Sequence, residues 1–261
     1  MGSRRLPVVF FGHGDPMNAV LSNTFTEGWR AVGDSLPRPR AVPCVSAHWY
    51  TFDTRVTASV RPPTVHDFGG FPRELYDVQY PAPGDPELAA QVAELLGPVP
   101  VALDDSSWGL DHGTWSVMAH VFPDADVPVV QLSIDATKSA SFHYELGTRL
   151  ELLREDGVLI IDSGNLVHNL HAYSWGGHPA EPYDWAVRFE REVRRLLAEH
   201  EHDLLMRYQT PDPDAALSVP TPDHYLPLLY CIGSTGSDGE VGFPVEGIDG
   251  GSISMLAVRI G

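Results

Sequence analysis

The sequence predicts an α/β protein: a single domain whose central sheet, mostly parallel or mixed, is flanked by helices and carries a metal site at its strand ends. Three observations predict it. Short apolar runs alternate with amphipathic helical segments along the 261 residues, the pattern of strands joined through helices. Several runs stop abruptly in a turn that presents one histidine. Apolar residues make up 43% of the chain, enough for a substantial core. No internal repeat, heptad pattern or low-complexity linker divides residues 1–261.

The elements follow in order. A strand at 7–11 leads into 12-GHGDPM-17, where Gly12 and Gly14 free the backbone on both sides of His13. Thr24 and Glu27 form a capping box that opens a helix. The run 41–46 ends in Ser46 and Ala47 and delivers His48. A strand at 55–60 follows. Asp85 and Pro86 supply the N-cap and first turn of 87-ELAAQVAELLG-97, which places Leu88, Val92, Leu95 and Leu96 on one face. Strands at 99–103 and 127–133 bracket 108-WGLDHGTW-115, where His112 sits in a loop between an acid and a glycine. A helix covers 139–156. The strand 157–162 ends in a Ser-Gly-Asn turn that leads to His168. The longest helix spans 184–208, with Phe189, Val193, Leu196 and Leu197 inward and its arginines and glutamates in solvent. His224 occupies a proline-bounded turn before strands at 227–232 and 252–260.

Composition excludes several functions. Seventeen Lys+Arg stand against 35 Asp+Glu, a formal net charge of -18. Nucleic acid and anionic membrane surfaces need clustered cations and are disfavoured. The single lysine, Lys138, reads as a surface residue, and Cys44 and Cys231 as small core hydrophobes. No apolar stretch approaches the ~20 residues of a membrane span. The N-terminal apolar run is too brief for a signal peptide, so a cytoplasmic protein is expected.

Among 12 histidines, His13, His48, His168 and His224 share the strand-end or sharp-turn context, and His112 has a similar one. His200 and His202 read as solvated. His66, His120, His143 and His178 lack such a context. His171, one helical turn past His168, is a weak candidate for a supporting role. Neutral imidazoles at strand ends are common ligands of first-row divalent metals. No HExxH, Cys₄, GxSxG, P-loop or GxGxxG pattern occurs, and 234-STGSDG-239 lacks the lysine of a phosphate loop. The spacing therefore points to a mononuclear, histidine-rich metal site and leaves the reaction open.

The motifs GHGDPM (12–17), SAHW (46–49), DFGGFPRELYDVQYPAPG (67–84), GLDHGTW (109–115), FPDADVPVVQLS (122–133), SGNLVHNL (163–170) and DHYLPLLY (223–230) together resemble the 4,5-DOPA extradiol dioxygenase family. That family lies within the class III extradiol, protocatechuate 4,5-dioxygenase superfamily. The resemblance covers nearly the whole chain in the same order. It implies non-haem Fe(II), with Zn(II) as another possible occupant, and O₂-dependent cleavage of a catechol ring, DOPA-like or related. It implies His13, His48 and His224 as metal ligands, His168 as a further metal contact or catalytic base, and His112 as an active-site residue near the substrate. Many non-haem iron oxygenases use two histidines and a carboxylate. Here the third position is His224, with Asp223 beside it. Asp67, Asp111 and Tyr225 are candidates to orient imidazoles. Trp49, Phe68, Phe71, Tyr76, Trp115 and Tyr225 are candidates to pack on the substrate ring, although core is the commoner fate of any one of them. Two other readings stand beside this one: a zinc-dependent hydrolase on the same scaffold, and a metal- or catechol-binding protein without turnover. The oligomeric state is left open.

Overall fold

Strand β1 (Val8–Gly12) is buried along its whole length. Val8 and Phe10 enter one hydrophobic core and Val9 and Phe11 a second, because successive side chains leave a strand on opposite faces. A sheet with a core on each side must be covered twice, and the rest of the chain does this. A computed structural model describes residues 5–175, 180–209, 212–236 and 239–261. His178 and part of the 234–239 segment lie outside the described residues.

After β1 come α1 (Thr24–Ser35), β2 (Val42–Thr51), β3 (Thr54–Thr57), α2 (Arg73–Tyr76), α3 (Pro86–Leu95), β4 (Val101–Asp104), α4 (His112–Val121), β5 (Val129–Asp135), α5 (Ala140–Leu150) and β6 (Ile160–Gly164). Then follow α6 (Asp184–Ala198), α7 (His202–Met206), α8 (Pro213–Ser218), α9 (Leu226–Gly233), β7 (Val241–Val245), β8 (Ile248–Asp249), β9 (Ile253–Ser254) and β10 (Ala257–Ile260). Eight strands form one sheet in the order β4-β3-β5-β2-β6-β1-β10-β7. Its centre, β5-β2-β6-β1, is parallel. Antiparallel pairings of β3 with β5 and of β10 with β1 and β7 make the whole sheet mixed. Trp29 of α1 and Trp115 and Met118 of α4 pack on one face. Leu88 of α3, Leu146 of α5, Phe189 of α6 and Leu229 of α9 pack on the other. Each fully buried side chain of this size contributes roughly 1.5–3 kcal/mol. Because β2, β6 and β1 are parallel neighbours, their carboxyl ends open on one edge, where α/β sheets bind ligands.

The structure corrects several sequence expectations. Residues 227–232 form helix α9, not a strand. A short, uniformly apolar run looks the same in either state, and here every residue of the helix is buried, with a proline in its first turn. Missing from the expectation are the two-residue β8 and the longer β7, whose sequence VGFPV carries Gly and Pro. Strand β7 lies at the sheet edge, where proline is tolerated. Strands at 55–60 and 99–103 shrink to β3 and β4, and 252–260 divides into β9 and β10. The 184–208 helix breaks after Ala198, where His200 adopts φ +55°, and resumes as α7. The 139–156 helix tightens to a 3₁₀ turn after Leu150 and stops at Gly157, φ +74°. Helix α1 is capped by Asn23 with Thr26 as its reciprocal partner, one residue earlier than the Thr24–Glu27 pairing. His112 is not in a loop: it opens α4.

Cys44 and Cys231 are free and buried, as expected. Lys138 is exposed, with its Nζ 5.7 Å from the centre of the Phe142 ring. Among the described residues no helix is long and apolar enough to cross a membrane. His143 of α5 is buried against the Tyr230 hydroxyl, 2.9 Å from Nδ1, and burial pushes it down to about 4. The unfolded chain takes up this proton near the ordinary value of ~6.5. The neutral ring's contribution is therefore complete above that pH and is lost as pH falls toward 4. Unfolding free energies from urea titrations should drop across this window by up to about 1.4 kcal/mol per pH unit from this residue, and His143→Gln should flatten that part of the profile.

Candidate active site

Each strand end delivers its histidine by a different local device. His13 follows β1 directly, and Gly14 turns the chain away with φ +59°. His48 lies inside β2 rather than beyond it. Val45 pairs with Leu132 of β5, but the next pairing is Tyr50 with Ile134. Five steps along β2 thus match two along β5, so the segment between arches out of the ladder and carries His48 with it. His168 lies just beyond β6, and its N–H donates to the Ser218 carbonyl at 2.8 Å. His224 sits in the turn before α9, where its carbonyl accepts the Asn165 N–H at 2.9 Å. That approach requires Gly164, since a Cβ there would stand 2.2 Å from the same carbonyl oxygen. His112 is the first residue of α4, whose N-cap Asp111 accepts the Thr114 N–H at 3.2 Å.

These five histidines line one cavity of about 230 Å³. His13, His48 and His112 place ligand atoms within 4.8 Å of one another, and so do His168, Asp223 and His224. The two groups adjoin: the His224 ring centre is 5.3 Å from that of His13 and 5.0 Å from that of His48. His168 stacks on His224 with centres 3.5 Å apart and planes 8° from parallel. His171 is exposed and does not line the cavity. Of the histidines set aside, His66 reaches the Val78 carbonyl, His120 that of Asn18 and His202 the Tyr144 hydroxyl. His202 is therefore half-buried rather than solvated.

The hydrogen bonds fix which imidazole nitrogens carry protons. The Ser163 hydroxyl donates to the Gly113 carbonyl at 2.5 Å, so it accepts from His13 Nδ1, 3.0 Å away. Asp67 Oδ2 accepts from Nδ1 of His112 at 3.0 Å and lies 3.2 Å from Nδ1 of His48. Asp67 Oδ1 takes the backbone N–H of His112 at 2.9 Å. Burial, reinforced by the neighbouring imidazoles, holds His13 and His48 well below their ordinary values, hence neutral. The His13 Nε2 therefore carries a lone pair, and it faces the His48 Nε2 at 3.0 Å. Either neutral ring can turn a lone pair on Nε2 toward a cation held between the two. Ligands about 2.1 Å from one metal ion and at right angles stand about 3.0 Å apart. His224 adds a third open position: Asp223 accepts from its Nδ1 in a short contact, while its buried Nε2 has no partner. The donor set fits a divalent metal.

Burial alone would raise Asp67 and Asp223, but hydrogen bonds and charge from His112 and His224 respectively overcome it and hold both below the usual carboxylate value. Burial and the neighbouring Asp67 push Asp111 up to about 6. Asp111 is committed to Ser46, Gln131 and the α4 cap and does not orient an imidazole. Tyr225 does not either: its hydroxyl bonds the Leu205 carbonyl and its ring packs on Tyr208. Of the aromatic candidates, Phe68 and Phe71 line the cavity. Trp49 stacks on Trp108, Trp115 donates to the Val65 carbonyl, and Tyr76 packs on Phe68 and His66 outside the cavity. Sequence reasoning missed Asp15, Leu170, Tyr173 and Trp175, which complete the wall. The clustered aromatics just after SGNLVHNL were the available signal for the last two.

Asp67→Ala should lower metal affinity about 10–100-fold, the usual effect of losing a partner behind the ligands. Competition with a chelator measures it, and an unchanged affinity would remove Asp67 from this role.

Residues 9–250 match the family described as the catalytic LigB subunit of aromatic ring-opening dioxygenase. The chain is 50% identical over 264 residues to the 4,5-DOPA dioxygenase extradiol of Escherichia coli (strain K12), covering 100% of this chain and 97% of that protein. It is 35% identical to the 4,5-DOPA dioxygenase extradiol of Beta vulgaris, covering 94% and 92%. Its fold matches the crystal structure of an uncharacterized Escherichia coli K12 protein with a TM-score of 0.86 and 46% identity, over 98% of this chain and 100% of that one. The motifs, the fold and these matches agree, and the chain belongs to the LigB family of aromatic ring-opening dioxygenases, the extradiol lineage its motifs resemble.

Proposed function

We propose that the chain is one catalytic domain over 1–261, an Fe(II)-dependent extradiol dioxygenase that opens a catechol ring with O₂ in the cytoplasm. The observation that carries the proposal is the convergence in one cavity of the His13 and His48 Nε2 atoms, 3.0 Å apart, with the His224 Nε2, which is buried without a partner. These three residues would hold the ion, with His168 as a fourth contact at rest. Fe(II), when bound, supplies the redox chemistry that lets O₂ react with a catecholate. The protein's residues do the rest. Phe68 and Phe71 give the substrate ring an apolar wall and exclude water from it. His168 takes the second hydroxyl proton, and a positioned base of this kind contributes ~10²–10⁴-fold. Asp67 holds His112 with its Nδ1–H engaged, so its Nε2 is free to handle a proton beside the substrate.

The extradiol relatives named above support the reaction class, since the similarity spans nearly the full chain. The zinc-hydrolase reading uses the same histidines, and one experiment separates the two. Apo-protein loaded anaerobically with Fe(II) is given a catechol and then air. Stoichiometric O₂ uptake and a coloured ring-opened product are expected. Iron protein that consumes no O₂ with any catechol, while zinc protein hydrolyses esters or amides, would overturn the proposal.

A further inference from the structure

Beyond Ser46 the arch of β2 has no ladder to hold it. Ser46 pairs with Ser163 of β6, and the next pairing along β2 is Tyr50 with Ile134 of β5. Among the described residues, Ala47, His48 and Trp49 have no strand partner on either side. The His48 N–H instead donates to the Ser46 hydroxyl at 3.3 Å. That hydroxyl donates in turn to Asp111 Oδ1 at 2.6 Å. The same oxygen accepts the Thr114 N–H at 3.2 Å as the cap of α4, the helix that His112 opens. One carboxylate oxygen thus ties together the elements that carry two cavity histidines, whose ring centres stand 3.8 Å apart. The rest of Asp111 is engaged as well. Its other oxygen accepts from Gln131 Nε2 in a short contact, and its N–H donates to Gln131 Oε1 at 3.1 Å. Gln131 Oε1 also accepts the Thr114 hydroxyl at 2.8 Å. Gln131 belongs to β5, and it is fully buried together with Asp111 and Ser46. The close approach of the arch to α4 requires Gly113: a Cβ there would stand 2.6 Å from Ser46 Oγ and 2.9 Å from His48 Cδ2.

We infer that Asp111, braced by Gln131, is a positioning residue that sets where the His48 main chain stands relative to the metal, acting through the Ser46 hydroxyl. The inference rests on the metal site proposed above and deepens it. Two carboxylates divide the work. Asp67 lies against the imidazole Nδ1 atoms and governs how the rings turn. Asp111 touches no imidazole nitrogen and governs the backbone beneath them. A ligand must be held within about 0.5 Å of its working position. Elsewhere in the sheet the ladder gives that precision, and at His48 the ladder is missing. Hydrogen bonds to a buried carboxylate are short and strong in a low-dielectric interior, so this chain of bonds can replace it.

Co(II) loaded into the full-length protein tests this without turnover. Its visible absorption reports the coordination geometry, and competition with a chelator reports the affinity. Ser46→Ala removes both the acceptor for the His48 N–H and the link to Asp111. It should weaken Co(II) binding about 10–100-fold, the scale for partners behind metal ligands, and change the visible spectrum. Asp111→Asn, with its amide oxygen kept toward Ser46, turns an NH₂ group onto the NH₂ of Gln131, so two donors meet. It should act in the same direction. Adding Gln131→Glu supplies an acceptor for that amide and should restore both affinity and spectrum. A merely structural role would lower the thermal midpoint of the apo-protein and leave the spectrum of the Co(II) protein unchanged. Ser46→Ala with wild-type affinity and spectrum would overturn the inference. So would a double variant no better than Asp111→Asn, or single variants that do not fold at all, since these groups would then hold the core and not the ligand. Wild-type protein that binds no Co(II) would bring down the metal reading itself, and this inference with it.

Discussion

His224→Ala is expected to release the metal and bring turnover to background together. His224 is buried, its Nδ1 is fixed by Asp223, and its Nε2 is left without any partner. A buried, unsatisfied polar atom is destabilising, so a side chain so fully positioned otherwise implies a ligand on its open nitrogen. Loss should exceed the about 100-fold effect of removing an outer partner. Metal content by elemental analysis and catechol turnover on the same sample decide the matter. Full occupancy with intact activity would remove His224 from the metal's ligands.

His168→Ala should behave differently. Its ring lies flat on His224, and burial, with His224 alongside, lowers it from its ordinary value, so it is neutral at rest. Three other imidazoles remain to hold the ion. The variant should retain most of its metal and still bind catechol. Single-turnover rate should fall by ~10²-fold or more, the scale of a lost general base. A variant that loses its metal outright would make His168 chiefly a ligand, and one that turns over normally would make it a bystander.

The contrast between these two residues shows what the sequence could and could not convey. A strand followed by a glycine or serine turn and a histidine is a local signal, as is a histidine in a proline-bounded turn, so His13, His48, His168 and His224 were legible one by one. Their grouping was not. That His13 and His48 meet at Nε2 depends on the order β2-β6-β1, a long-range pairing that no local pattern encodes. Asp67 was a candidate orienter among three, but its choice over Asp111 turns on which carboxylate the α4 cap consumes. Helix α9 was misread because burial on all sides removes the periodicity that separates helix from strand. Strand β7 was missed because an edge position tolerates the Gly and Pro that argue against a strand. Asp15 was passed over because its neighbour His13 explained the motif, although it lines the same cavity.

The arch in β2 bears on how such a centre can diversify. Within a ladder, adding one residue turns every following side chain to the opposite face. Between Val45 and Tyr50 no pairing with β5 enforces that parity. The chain there can gain or lose a residue while Val42 to Val45 below and Tyr50 and Thr51 above keep their partners. The reach of His48 is therefore free of β5 but tied to the core through Ser46, Ala47 and Trp49, which are buried. Variants randomised over 46–49 would retune the spacing of the imidazoles only together with the Ser46 bond to Asp111 and the Trp49 stack on Trp108.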